Sequence, residues 1–316
     1  MADTLNLSEL GKHFSNEDSA RELLEWLRWK GNPVCPHCEA TGAYKIEAKE
    51  DSKSGARKGL WKCKACRQQF SVTVGTIFED SKIPLSKWLL AIHLVCSSKK
   101  GMSALQLQRN LGLGSYRTAW FMAHRIRYAM TQEPLFSKLN GIVESDETFI
   151  GGKEGNKHAN KRLNMGRGAI GKAAVVTLVE RGGRVKSHHV PTVTGATLKK
   201  AMLECIATDA RIMTDESPSY KWAKHHFADH QAVNHRYGEY VRGTAHVNTC
   251  ESIHALLKRG VIGTFHHVSK KHLHRYLVEF DFRFNHRKIE DGERTLEAIK
   301  GFEGKRLMYK TPVKKS

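Results

Sequence analysis

Two Cys-x-x-Cys pairs, Cys35-Pro-His-Cys38 and Cys63-Lys-Ala-Cys66, constrain this chain more tightly than anything else in it. Two tight knuckles present four thiolates to one centre, and a closed tetrahedral set of sulfur ligands is the chemistry of structural zinc. Residues 43–46 and 59–62 have the composition of short strands on either side of a polar loop, and residues 69–72 supply a third strand after the second knuckle. The spacing predicts a zinc ribbon. A redox role for either pair would want a βαβ setting, which the flanking residues do not provide. His37, inside the first knuckle, is not counted among the ligands. The other cysteines, Cys96, Cys205 and Cys250, stand singly in apolar surroundings and read as buried small hydrophobes.

Ahead of the knuckles, Leu23, Leu24, Trp26, Leu27 and Trp29 mark one amphipathic helix over residues 17–30, with Ser15 as a cap and Gly31 as a stop. Residues 83–130 also read as helical. Pro84 opens a helix through Leu85, Trp88, Leu89, Ile92 and Val95. Ser103 caps a shorter one, Leu111-Gly112-Leu113-Gly114 makes a turn, and a third helix runs from Ser115 to about Met130 with Arg117, Arg125 and Arg127 along it. Helix, glycine-containing turn, helix is the pattern of a helix-turn-helix. The balance of charge says what such a unit would meet. The chain carries 52 Lys and Arg against 32 Asp and Glu, a net charge of +20. That excess points to a polyanion, double-stranded DNA above all, with Arg117 and Arg125 as candidate contacts. No segment approaches the length of apolar chain that crosses a membrane, and residues 1–10 have neither the basic region nor the apolar core of a secretory signal. The expectation is a soluble, cytoplasmic protein.

Against that cationic background, Gly141-Ile-Val-Glu-Ser-Asp-Glu-Thr-Phe-Ile-Gly-Gly152 stands out. Ile142 and Val143 begin a strand, Glu144, Asp146 and Glu147 follow where it runs toward its end, and the paired glycines break it. Charge on a strand edge can serve only to discourage aggregation; clustered carboxylates also bind hard cations. Residues 153–172 form a loop with six basic residues and one acid, Glu154. That is the composition of a phosphate-contacting arm, with Lys161 and Arg162 within it. A hairpin of two strands (173–180 and 185–193), a helix (197–207) capped by Thr194 or Gly195, and a strand at 210–214 leading into Asp215 come next. A helix opened by Ser217-Pro218, a strand at 231–237, and a helix from about 246 bearing Asn248 and Glu251 complete the series. That order is the order of a ribonuclease-H-like α/β fold with a mixed sheet. Asp146, Asp215 and Glu251 can then converge on two divalent ions for an in-line phosphoryl displacement. Mg²⁺ or Mn²⁺ suits the all-oxygen set. Lys258 returns to within about 20° of Glu251's helix face, at about 100° per residue, and with Arg259 it is a candidate for the phosphate backbone.

The chain resembles the DDE-class insertion-sequence transposases that carry an N-terminal zinc ribbon, insertion-sequence family fifteen-ninety-five, related to the eukaryotic Merlin transposases. The match rests on the two knuckles with Arg67-Gln-Gln-Phe70-Ser, Gly75-Thr-Ile-Phe, Lys87-Trp88-Leu89-Leu90-Ala91-Ile92, Asp146-Glu147-Thr148-Phe149-Ile150-Gly151-Gly152, Thr214-Asp215-Glu216 and His246-Val-Asn248-Thr-Cys-Glu251. The resemblance implies a recombinase that binds the terminal inverted repeats of its own element, cleaves the ends and joins them to target DNA, as a homo-oligomer on the DNA. Relatives vary between Glu and Asn at the third acidic position. Glu251 is taken as the ligand over Asn248, because a carboxylate binds Mg²⁺ more strongly than an amide. Glu147 and Glu216 point to the opposite strand face from their neighbours and are left out of the metal shell.

The expected organisation is an N-terminal helical segment (1–34), the ribbon (35–80), the helix-turn-helix region (81–135), the catalytic domain (136–290) and a basic C-terminal tail (291–316), disordered at its end. Two rivals remain: a catalytically silent DNA-binding protein derived from a transposase, and a ribonuclease-H-like nuclease acting on hybrids or junctions.

Overall fold

The computed structural model describes residues 7–46, 58–131, 138–152, 154–163, 169–234 and 237–309, and the chain forms two compact units. The first takes residues up to Ser98, then Met102–Thr131 and the C-terminal stretch from Ile289; the second takes Lys99–Gly101 and the chain through Lys288.

In the first unit, α1 (Leu7–Ser15) and α2 (Glu17–Trp29) precede a three-stranded antiparallel sheet of β1 (Tyr44–Lys45), β2 (Trp61–Lys62) and β3 (Gln69–Phe70). Asn16, not Ser15, caps α2, accepting from the N–H groups of Asp18 and Ser19. The ribbon is held to α2 through aromatic side chains. Trp29 meets Trp61 and Phe70 edge-on at 5.5 and 5.8 Å, and the Trp61 indole donates to Glu25 at 3.1 Å.

Helices α3 (Leu85–Ser97), α4 (Ala104–Leu111) and α5 (Tyr116–Ala129) follow. Ser103 caps α4 as its sequence position predicts, and Ser115, read as the first residue of the next helix, caps α5. Pro84 brings α3 no side-chain cap, and Glu17 of α2 fills the role, accepting from Leu85 and Ser86 N–H at 2.9 and 3.0 Å. That anion sits where the partial positive charge of the helix end favours it.

The expected basic tail is in large part an element of this same unit. Residues Asp291–Lys300 form helix α9, packed on α3, with Leu296, Ala298, Ile299 and Phe302 buried. Phe302 and Trp88 both pack on Phe78, with ring centres 5.5 and 5.4 Å away. Beyond the helix, Lys305 donates to the carbonyls of Ala129 and Thr131, and Arg306 reaches Asp80 at 2.6 Å. The expected disorder of residues 310–316 falls outside the described residues.

The second unit is a five-stranded sheet with helices on both faces. Strand order is β6-β5-β4-β7-β8, with β5 (Ala173–Glu180) antiparallel to both β4 (Ile142–Ile150) and β6 (Val185–Val190), and β7 (Arg211–Asp215) and β8 (Asp229–Val233) parallel to β4. One face carries α6 (Gly195–Cys205), burying Val143, Val176, Leu178 and Ile212 against Leu198 and Met202. The other carries α7 (Asn248–Gly260) and α8 (Leu273–Asn285), where Ile150 and Val175 meet Leu257, Leu277 and Phe280. Two expectations shift. The stretch after Ser217-Pro218 makes short 3-10 turns at Pro218–Tyr220 and Ala223–His225 instead of a helix, and the strand expected at 231–237 lies at Asp229–Val233. Tyr220 and Ala223 are buried from those turns directly, so no further helical turn is needed to cover the sheet.

Candidate active site and zinc centre

The four cysteines meet as expected. Their sulfurs lie within 4.8 Å of one another, with Cys35–Cys66 at 3.7 Å and Cys38–Cys63 at 3.6 Å. Tetrahedral zinc with Zn–S bonds near 2.3 Å requires sulfur–sulfur edges of about 3.8 Å, so the donors fit the ion. Backbone N–H groups of His37 and Cys66 point at the sulfurs of Cys35 and Cys63 from within the knuckles. The crowded thiols divide their protons unequally. The Cys66 N–H and other donors lower Cys63 to about 7, whereas Cys66, despite the N–H of Gln68, is pushed up to about 12 by burial and the neighbouring sulfurs. A bound dication would hold all four as thiolates. Stripping it with a chelator should unfold the ribbon, since structural zinc in such sites is worth about 10–16 kcal/mol of apparent binding energy. Tryptophan fluorescence from the Trp29–Trp61 contact is the readout, and an unchanged spectrum after complete zinc release would refute a structural role.

The acidic stretch divides by the strand's two-residue period. Glu144 and Asp146 face α7; Ser145 and Glu147 face the α6 side, where Tyr220 hydrogen-bonds both. Glu144 is fully buried and wholly engaged. It accepts from the N–H of Thr249 (2.8 Å) and Cys250 (3.2 Å) and the Thr249 hydroxyl (2.9 Å), and pairs with Arg181 at 2.7 Å. Its work is to pin the start of α7, not to hold a cation. Glu147 is pushed up to about 7, first by burial and then by the charges of Asp215 and Asp146, against the hydrogen bond from Tyr220.

Asp146 was expected near the end of its strand. It lies in the middle of β4, opposite Thr177 of β5, because the antiparallel hairpin extends the strand to Ile150. On the other side, the strand ends: β4 and β7 pair through Glu144↔Met213, and β7 finishes at Asp215. The same register carried two residues further sets Asp215 beside Asp146, on the same face, at the point where parallel strands part. Crevices at the carboxyl ends of parallel strands are where α/β sheets accept ligands.

Helix α7 brings the third element. Thr249 and Cys250 touch Glu144, and the His254 imidazole Nδ1 lies 3.4 Å from Asp146. Five residues of helix advance about 7.5 Å and two of strand about 6.7 Å, so α7 runs along β4 in step with it. Glu251 falls between the two contacts, exposed, one turn before His254. His254 is 4% exposed; sequence reasoning passed over it, although its spacing from Glu251 was the available signal. Among the described residues, the four cysteines are the one group of three or more ligating side chains gathered within 4.8 Å. Asp146, Asp215 and Glu251 do not form such a group among the described residues.

The candidate DNA contacts separate by exposure. Arg117, Lys161, Arg162, Lys258 and Arg259 are on the surface. Arg125 is not. It is 6% exposed, and its guanidinium donates to the carbonyls of Glu79 (2.6 Å) and Leu307 (3.2 Å), which makes it a strut between the helices and the C-terminal stretch.

Residues 138–285, which span Asp146, Asp215 and Glu251, match the ISXO2-like transposase domain, and residues 15–69, which span the four cysteines, match the transposase zinc-ribbon domain. The chain is similar to an uncharacterized protein in transposable element ISH50 of Halobacterium salinarum, with 30% identity over 288 residues, covering 86% of this chain and 92% of that one. Among solved structures it overlaps the cryo-EM structure of a simian T-cell lymphotropic virus intasome in complex with the PP2A regulatory subunit B56 gamma. There the TM-score is 0.29 at 15% identity, over 62% of this chain and 65% of that chain, an overlap too loose to define a common fold.

Proposed function

We propose that this chain, which belongs to the ISXO2-like insertion-sequence transposases, binds the ends of its own element and cuts and rejoins DNA at the face formed by Asp146, Asp215 and Glu251. The observation that supports the reading is the register: β7 runs parallel to β4 and ends at Asp215, level with Asp146, and α7 contacts Glu144 and Asp146 through Thr249 and His254, which flank Glu251 in the helix. The sheet order and its two helical faces suit a ribonuclease-H-like catalytic domain. Helices α4 and α5 suit a helix-turn-helix that presents Arg117. Asp146, Asp215 and Glu251 would hold Mg²⁺ or Mn²⁺, which when bound would activate the attacking oxygen and offset charge on the leaving one.

The chain's own residues prepare that chemistry in separate ways. His254, on α7 and 3.4 Å from Asp146, orients its carboxylate. Lys258 and Arg259, exposed further along α7, offer cations to the strand entering the site. Such a reaction requires two DNA ends, so the working assembly is expected to be a homo-oligomer formed on DNA.

The test is strand cleavage and joining on labelled DNA carrying the end of the element, with Mg²⁺, comparing the native chain with Asp146→Asn. Loss of a metal-holding carboxylate removes several kcal/mol of transition-state stabilisation, so the rate should fall by about 100-fold or more while DNA affinity is retained. Equal rates would move the site elsewhere. Absence of cleavage by a folded, zinc-loaded, end-binding native chain would leave the alternative, a DNA-binding derivative without catalysis.

A further inference from the structure

The most exposed large apolar side chain in the described structure is Tyr237, at 88%, and Tyr240 (61%) and Val241 (53%) follow within four positions of it. Three such side chains in one short segment are not scattered surface residues, because leaving apolar area in water has a cost that a purely connecting loop avoids with polar residues. The segment joins β8 to α7, starting beside Asp215 and ending at the first turn of α7. Val233, the last residue of β8, pairs with Asp215. At the other end, the carbonyls of Thr244 and His246 accept from Arg181, the partner of Glu144 at the head of α7.

The segment is also fastened. The N–H groups of Tyr237 and Glu239 donate to the Asn234 carbonyl at 3.2 and 3.1 Å, Arg242 and Ala245 exchange backbone hydrogen bonds, and the Arg242 side chain donates to the Ala232 carbonyl at 2.7 Å. Gly238 turns the chain directly after Tyr237 with φ of 73°, in the left-handed region where a side chain is disfavoured. Two exposed tyrosines are therefore carried on a pinned turn in the connection that starts beside Asp215.

We propose that Tyr237 and Tyr240 form a stacking platform for an unpaired nucleobase of the DNA strand presented to the Asp146–Asp215–Glu251 face, an inference that rests on the DNA-processing reading above. Bases inside a duplex hide their faces in the stack, so an exposed ring can engage only a base that has left it. Each ring brings a large rigid surface with few torsions to restrain, and a hydroxyl that tolerates water when DNA is absent. Exposed Lys258 and Arg259 lie about 15 Å further along α7 from the segment's end and supply positive charge for phosphates further along the strand. A nucleic acid strand, with flat bases and an anionic backbone, complements rings and cations together; an apolar protein surface complements only the rings.

The experiment uses the full-length, zinc-loaded protein without divalent cation. It compares a fully paired duplex with a forked duplex of the same sequence bearing 2-aminopurine at the first unpaired position. Stacking on aromatic side chains is worth about 1–3 kcal/mol per base, so the fork should bind about 5- to 100-fold more tightly and its fluorescence should be quenched. Tyr237→Ala with Tyr240→Ala should abolish both effects and leave affinity for the paired duplex unchanged, whereas the two Phe variants should retain them. A native chain with no preference for the fork, or an Ala variant that keeps it, overturns the proposal. So does an Ala variant that keeps the preference but no longer self-associates in sedimentation, because the rings would then belong to a protein interface. Cleavage without fork preference would reject the platform alone, and fork preference without cleavage the recombinase reading alone.

Discussion

A chain ended at Lys288 is expected to leave its first unit unfolded, although every residue of the zinc ribbon and of helices α3 to α5 would still be present. The removed stretch supplies buried Leu296, Ile299 and Phe302. At about 1.5–3 kcal/mol for each side chain withdrawn from water, their loss approaches the whole stability of an ordinary domain, about 5–15 kcal/mol. It also leaves polar groups unsatisfied. His93 hydrogen-bonds Thr295 at 3.0 Å, and buried Arg125 donates to the Leu307 carbonyl. Hydrogen exchange of the α3 amides is the measurement, and strong protection of Leu85–Ser97 in the shortened chain would refute the expectation. Two point variants keep the test clear of gross truncation. Phe302→Ala should cost about 3–5 kcal/mol through the cavity it leaves between Phe78 and its neighbours. Gly301→Ala should also destabilise, because a Cβ there would stand 2.1 Å from the Ala129 carbonyl oxygen, a backbone atom that cannot swing aside.

The second large effect concerns Glu144. Replacing it with Ala removes the carboxylate that accepts from the Thr249 and Cys250 N–H groups at the head of α7 and strands Arg181, whose side chain is 20% exposed beside it. Taking one partner out of a buried pair costs about 3–5 kcal/mol, because the remaining charge has no counterpart. For a unit of this size, that corresponds to a fall in melting temperature of roughly 10 °C. Glu144→Gln should fall between, since an amide oxygen still accepts from Thr249 and Cys250 but leaves the guanidinium unpaired. Cleavage should decline with it, as the helix start that sets the height of Glu251 along β4 loosens. A Glu144 variant with native stability and lost metal affinity would instead mean that this carboxylate ligates the metal directly.

Glu144 also illustrates why the candidate site was only partly legible. Three acids in four residues look alike in sequence, and a strand's alternation separates Glu147 from its neighbours. Nothing local separates Glu144 from Asp146, which share a face. Their roles diverge because one lies under the N-terminus of α7 and the other beside His254, and the register between helix and strand fixes which. Arg125 makes the same point from the other side. A cation on a helix with Arg117 and Arg127 reads as a DNA contact, and only the packing of a stretch some way along the chain turns it inward.

What the sequence determined by itself is what depends on spacing within a few residues. The two knuckles fixed a four-sulfur site, because the geometry of Cys-x-x-Cys is closed locally. The β-branched runs at 173–180 and 185–193 set two strands, the second ending at Val190, and the Ser103 cap set the start of α4, since alternation and capping are short-range. Tertiary structure decided what depends on partners distant in the chain. It made a helix of the expected tail by giving Leu296, Ile299 and Phe302 the surface of α3 to cover. It separated the surroundings of Glu144 from those of Asp146, and it left Tyr237 and Tyr240 exposed in the connection from β8 to α7. Burial and charge pairing are sums over neighbours, and neighbours exist only once the chain has folded.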